Sequence, residues 1–585
     1  MGSTGDTNYY DLGSFHREVT TRSGAAQKWF DRGLVWCYGF NHEEAARCFE
    51  NVIENDPDCT MGYWGLAYAL GPNYNKPWEL FDEKDLETSL RRVHDAVQKA
   101  QEYASKATPF EQALAHAIQF RNPKDVADKD YARYNRAYAD AMEAMYRQFP
   151  DDLDAVTLYA DALMNITPWE LWDLRTGEPM PGSRAVEAKR VLDCALAEHE
   201  QQAHEHPGLL HMYIHMIEMS RTPELGVAVA DRLRDLIPDA GHLRHMPSHL
   251  DILIGDYRRA IASNAAAAVA DEKYHAREGG MNFYTLYRLH DYHSLVYAAM
   301  FNGQSRIALE TVAKMEDHLP TGLLSVDSPP MADWLEAFLS TRLHVLVRFG
   351  RWEDILALPL PDDPQLYCVT TAMTHYAKGI AWAVTGDVAR ADEERTRLHA
   401  AVERVPDTRM EYPNRCSDIL AIAKAMLDGE LEYRKGNYDE AFAHLRRSVD
   451  LDDALNYAEP WAWMQPTRHA LAALLLEQGR VEEAAQAYAA DLGFDDTLPR
   501  ARQHPNNVWA LHGYHECLSR LGGSDRTTRK IVEQQLRLAL AVADVPVTAS
   551  CYCRKSGGGG GGGDGDGTTP SGAALGSIKS SCGGC

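Results

Sequence analysis

The feature that most constrains this chain is a glycine followed five residues later by an alanine, repeated along its length. It occurs in HLDILIGDYRRAIASNAAAAV (Gly255, Ala260), VYAAMFNGQSRIALETV (Gly303, Ala308) and GIAWAVTGDVARADEE (Gly386, Ala391). It recurs in GELEYRKGNYDEAFAHL (Gly436, Ala441) and ALAALLLEQGRVEEAAQAY (Gly479, Ala484). Each glycine separates two segments whose apolar residues follow helical spacing. The glycine permits the tight turn, and the alanine lets the second helix cross closely over the first. One such pair cannot bury its own apolar face, so successive pairs must stack. No alternating strand pattern stands out. The expectation is an all-α chain, an α-solenoid of helix pairs curled into a superhelix.

The segment WFDRGLVWCYGFNHEEAARCFENVIENDP sharpens this reading. Trp29, Gly33, Ala45, Phe49 and Pro57 fall at the bulky, small, small, aromatic and proline offsets of the 34-residue tetratricopeptide repeat. The spacing between units is uneven, so loops such as 165–183 interrupt the array. Residues 1–24 read as irregular, and 25–553 as the solenoid. Residues 554–585, with seven consecutive glycines and a terminal Cys-x-x-Cys, read as a disordered tail.

Within the solenoid, HMYIH and HMPSH repeat His-x-x-x-His as His211/His215 and His245/His249, 34 residues apart at both positions. Spacing i, i+4 sets each pair on one helix face, and a 34-residue step moves to the next repeat's first helix. Aligning RLHDYHSLVYAAMFNG on Gly303 brings His293 into register with them, and His290 into register with His242. Residues 204–293 hold ten of the chain's 24 histidines. A lone helical histidine is usually a cap, a surface group or a satisfied core residue. Duplication can also copy one without function. Here, however, the histidines recur while HMYIH and HMPSH share little else. The expected ligands are His211, His215, His245, His249, His290 and His293. His242, Glu218, Tyr213 and Tyr297 are expected around them, and Trp64 and Tyr68 are a further candidate aromatic surface.

Six imidazoles exceed what one zinc needs. Imidazole-only coordination from several helices resembles the coupled dinuclear copper sites of tyrosinase and catechol oxidase in ligand count and helical spacing, not in fold. Copper also binds nitrogen ligands tightest among the divalent first-row ions. Copper is therefore ranked first, with zinc and iron behind it. Cys551 and Cys553 are candidate thiol ligands.

Other segments add a family resemblance. They are 40–75, HMYIHMIE, AGHLRHMPSH, HDYHSL, 457–480 and ADVPVTASCYCR. Together they resemble a tetratricopeptide-repeat family of fungi and bacteria, over nearly all of residues 25–554. The resemblance implies the fold, and paired histidines in bacterial members, but no reaction.

The remaining features narrow the class. The net charge is −26, with 59 Lys and Arg against 85 Asp and Glu. This argues against nucleic acid or an anionic membrane as the main partner. No run approaches the roughly 20 apolar residues of a membrane span, and the first residues lack a signal peptide's pattern, so a cytoplasmic location is expected. Eleven cysteines scattered through 585 residues do not form a disulfide framework. No nucleotide-binding or hydrolase motif is present. The functional expectation is a copper-dependent, dinuclear oxidoreductase acting on a small aromatic metabolite. The alternatives are a non-enzymatic adaptor holding a partner peptide in its concave groove, a zinc or iron enzyme, and a metal-storage protein.

Overall fold

A computed structural model describes residues 9–522 and 526–554. Among them the chain is built of helices, with one two-stranded hairpin, β1 (Met410–Glu411) and β2 (Asn414–Arg415). The helices needed below are α1 (Gly24–Tyr38), α2 (His42–Asn55), α3 (Pro207–Glu218), α4 (Gly241–His245), α5 (Pro247–Leu253), α6 (Tyr257–Glu278) and α7 (Thr285–Phe301).

The fold is an all-α solenoid of helix pairs. All five turn glycines of the repeat signal have left-handed backbones, with φ from +68° at Gly303 to +102° at Gly386. A side chain there would be strained, so these positions fix where each first helix ends. Ala260, Ala308, Ala391, Ala441 and Ala484 are all fully buried at the helix crossings. In the first pair Gly33 of α1 lies against the Phe49 ring of α2. Local caps help start the helices. Asn41 accepts from the Glu44 amide at the start of α2, and Asp256 accepts from Arg259 at the start of α6.

The superhelix brings distant repeats together. Tyr257 Oη donates to the Pro505 carbonyl at 3.1 Å, and Trp509 Nε1 donates to the Met300 carbonyl at 2.7 Å. Arg47 of α2 pairs with Glu278 of α6 at 2.6 Å. The loop over 165–183 also packs inward, with Trp172 Nε1 donating to the Met216 carbonyl of α3 at 2.8 Å. Residues 9–23 carry no helix but are docked: Tyr9, Tyr10, Leu12 and Val19 are buried in the main core. Residues 541–554 follow the last helix and pack back onto the repeats, with Asp544 accepting from Ser305 and Arg306. The glycine run and Cys582/Cys585 lie outside the described residues. No helix among the described residues is long and apolar enough to cross a membrane.

Candidate metal centre

Helix α3 begins with Pro207 at its first position, while the His206 ring caps it by accepting from the Leu209 amide through Nδ1 at 3.1 Å. The other nitrogen of His206 faces Asp154 at 3.0 Å, so this histidine is fully used by structure. Gly208 sits on the Tyr38 ring, where a Cβ would come within 2.5 Å. That close approach sets the C-terminal end of α1 beside α3. His211 Nδ1 then donates to the Tyr38 carbonyl at 2.5 Å, leaving Nε2 buried and without a partner. His215 Nδ1 donates to Glu218 Oε1 at 2.8 Å, and its Nε2 is likewise unpartnered.

Pro247 divides the second histidine-bearing helix into α4 and α5. His242 and His245 lie before the break and His249 after it. Asn264 Nδ2 donates to the Ala260 carbonyl at 2.9 Å, which points Asn264 Oδ1 at His245 Nδ1, 2.6 Å away. His245 therefore carries its proton on Nδ1. His249 Nδ1 donates to Glu218 Oε2 at 2.6 Å. These partners turn the Nε2 atoms toward each other. His245 Nε2 lies 2.7 Å from His249 Nε2 and 2.8 Å from His290 Nε2 of α7.

The imidazoles form two groups, His211/His215/His242 and His245/His249/His290, within each of which the ligating atoms lie within 4.8 Å of one another. Glu218 joins them by accepting from one imidazole of each group. Five of the six pKa values are pushed down, by burial first and neighbouring imidazoles where they act: His211, His242, His245 and His290 well below normal, and His215 to about 3. Neutral imidazoles with bare, convergent Nε2 atoms are what a soft or borderline cation requires. His249 behaves oppositely. Burial works against its charge, but the Glu459 and Glu218 carboxylates prevail and raise its pKa.

Phe40 closes the first group. It follows α1 with φ at +57°, a left-handed conformation costly for a phenylalanine. Its ring lies 4.5 Å from that of His211 and stacks on His215 and His242 at 5.8 and 5.5 Å.

Several residues sit differently from expectation. His242, expected at the periphery, completes the first group. His293 joins neither group. It packs on Phe338 at 5.3 Å and faces Glu411 at 3.9 Å, because three residues beyond His290 is about 60° short of a full helical turn. Tyr213 points away, donating to Asp193 at 3.0 Å. Tyr297 stacks on Phe301 at 4.4 Å, two turns beyond His290. Trp64 and Tyr68 stack on each other, with Tyr68 Oη bonded to Asp161, and belong to the core. Cys551 and Cys553 are joined to one another as a disulfide, so they are not the free thiols expected. The concave face at α3, α4, α5 and α7 is filled and is not an open groove: His211, His215 and His245 are all at 0% exposure.

Glu459, Asn264 and Asp291 also belong to the site, beyond the residues expected from the sequence. Glu459 comes from the loop after Leu455, 210 positions beyond His249, and its Oε2 lies 3.4 Å from His249 Nδ1. The signal available was a single carboxylate in the otherwise apolar run YAEPWAWM. Burial, then Glu218, pushes its carboxyl up to about 8. Asp291 of α7 lies 3.4 Å from His245 Nδ1.

Beside the second group is a cavity of about 80 Å³ bordered by His290 and Glu459, with walls of Trp169, Tyr287, Trp334, Phe338 and Tyr412. Trp169 arrives on the 165–183 loop, and Tyr412 and Glu411 on the β1–β2 hairpin.

No protein-family model and no curated protein sequence matches the chain. Among solved structures it is similar to Naa15/Naa10 bound to HypK-THB, at 14% identity and TM-score 0.22, over 88% of this chain and 70% of that one. It is also similar to the APC/C hetero-tetramer Cut9-Hcn1, at 14% identity and TM-score 0.27, over 76% and 77% of the two chains. Likenesses this low carry no argument about this chain, and its assignment as a tetratricopeptide-like solenoid rests on its own helix pairs.

Proposed function

We propose that this solenoid is a metal-binding protein whose repeats close around two adjacent tri-imidazole sites. One is formed by His211, His215 and His242, the other by His245, His249 and His290. The observation that carries the reading is the contact of His245 Nε2 with two other ring nitrogens at 2.7 and 2.8 Å, while its Nδ1–H is already committed to Asn264. Lone pairs so placed repel unless a proton or a metal cation lies between them, and a metal cation can serve all three rings at once. The Nδ1 partners of His211, His215, His245 and His249 also follow the pattern of metal-ligating histidines, whose second nitrogen donates to a carbonyl, amide or carboxylate that fixes the ring, whereas His242 has neither ring nitrogen bonded among the described residues.

Copper ranks first for neutral nitrogen ligands, ahead of zinc and iron. Bound copper would supply redox chemistry with O₂, and bound zinc an activated water. The protein's own part is clearer. Tyr38, Asn264 and Glu218 hold protons on Nδ1 and keep Nε2 bare. Phe40 excludes water from the first site, and the aromatic cavity beside His290 can seat a small ring. The reading extends to an oxidoreductase acting on a small aromatic metabolite.

A second reading, an interaction scaffold without metal, is favoured by the repeat architecture itself. It is also favoured by the raised pKa of His249, since a protonated His249 would place an N–H between itself and His245. Metal analysis by mass spectrometry separates the two. The material is untagged protein grown with copper, zinc and iron supplied, beside a His211→Ala/His245→Ala variant. Two ions per folded chain, lost in the variant, is the expected result. No metal in a folded wild-type chain would leave the scaffold.

A further inference from the structure

The cavity beside His290 has a chemical character that the imidazole centre does not explain. Its aromatic walls meet at angles. Trp169 and Tyr412 stand edge to face with ring centres 5.4 Å apart, and Trp334 lies 6.1 Å from Tyr412 at 43°. Its polar groups are lopsided. Glu411 and Glu459 supply two acidic side chains, and no lysine or arginine among the described residues lines it. Glu411 Oε1 is buried without a hydrogen-bond partner, and His293 Nε2, at 3.9 Å, is too far to serve. Burial pushes this carboxyl up to about 8, so its ionised form is costly there unless a cation reaches the unpartnered oxygen. Aromatic faces around an unsatisfied carboxylate are complementary to an organic cation.

We propose that this cavity is an ammonium site, taking a small amine with its charged head on Glu411 and its body between Trp169, Trp334 and Tyr412. That such an amine is the substrate of the neighbouring centre rests on the metal reading above; that it binds does not. The same lining disfavours carboxylates and phosphates, which would meet two acidic side chains and, among the described residues, no lysine or arginine. The protein contribution is positional: the 165–183 loop and the β1–β2 hairpin, both outside the repeat pattern, bring two of its aromatic walls, Trp169 and Tyr412, together with Glu411.

The test is isothermal titration of the full-length chain with benzylamine, benzyl alcohol and benzoate, which share a ring and differ in charge. Benzylamine is expected to bind at least about tenfold more tightly than benzyl alcohol, and benzoate not at all. Glu411→Gln should abolish the preference for the amine while leaving the alcohol unchanged. Equal binding of amine and alcohol, binding of benzoate, or no binding of any of the three overturns the proposal. The wild-type ranking needs no variant, so a misfolded Glu411→Gln protein leaves the test intact. Metal content measured on the same samples keeps the two readings apart. Amine preference without metal upholds the pocket and removes the centre, whereas metal without amine preference overturns the pocket alone.

Discussion

Replacing Glu218 by glutamine probes the centre without changing its shape. Glu218 Oε1 takes the Nδ1 proton of His215, and Oε2 takes that of His249, at 2.8 and 2.6 Å. One carboxylate thus orients a ligand in each tri-imidazole group. A glutamine offers one carbonyl oxygen and one NH₂. Whichever imidazole faces the NH₂ must present a bare Nδ1, so its proton moves to Nε2 and that nitrogen can no longer hold a metal. Loss of such an orienting partner lowers metal affinity by about 10- to 100-fold, equivalent to roughly 1.4–2.8 kcal/mol. Only one of the two groups can keep its tautomer, so the effect should fall on one ion. The expected result is a drop from two ions to one after equilibrium dialysis at a buffered free-metal concentration. The remaining ion should keep its affinity within about threefold, and the other should be weakened by about 10- to 100-fold in chelator competition. Circular dichroism of the metal-free variant checks that it folds. A folded Glu218→Gln protein that holds both ions with wild-type affinity would refute the assignment of Glu218 as the shared orienting group.

Acid should destabilise the metal-free protein steeply. His211, His215, His242, His245 and His290 all have folded pKa values below the unfolded value, by burial first, so their contribution is present above about pH 6.5 and is lost as pH falls toward the folded values. Five protons taken up only by the unfolded chain correspond to roughly 7 kcal/mol per pH unit at full slope. His249 runs the other way: its contribution is full below about pH 6.5 and is lost as pH rises through its raised folded value. Urea unfolding at pH 5, 6, 7 and 8 measures the slope, and a stability independent of pH between 7 and 5 would contradict the burial argument. Asp491→Asn tests a second histidine cluster, which is accounted for by structure alone. Asp491 accepts from His469 Nε2 and His504 Nδ1, both at 2.8 Å, and from Asn507 at 3.0 Å. Its removal should cost about 3–5 kcal/mol in urea unfolding while metal content stays at the wild-type value, and a loss of metal would show that the two clusters are not separate.

The fold was legible because its signals are local. A glycine at Gly255 or Gly436 answers to its own φ, and an alanine at Ala260 or Ala441 to the helix one turn away, so short-range pattern is enough to define a stack of helix pairs. The pairs His211/His215 and His245/His249 were legible for the same reason, since i, i+4 and a 34-residue repeat fix helix face and neighbouring helix.

What the sequence left open depends on angles and distant contacts. Whether His290 or His293 turns inward depends on about 60° of helical rotation and on how α7 crosses α4, and no local pattern encodes that crossing. His242 enters the first group by the same kind of rotation relative to His245. Glu459 reaches His249 only because the superhelix curls back across more than two hundred residues. Trp169 and Glu411 meet across the cavity only because a loop and a hairpin from different repeats fold inward. The sequence by itself determined helices, pairs and the faces that carry histidine. Tertiary packing decided which nitrogens converge and which carboxylates stand beside them, because burial and approach are properties of the assembled chain.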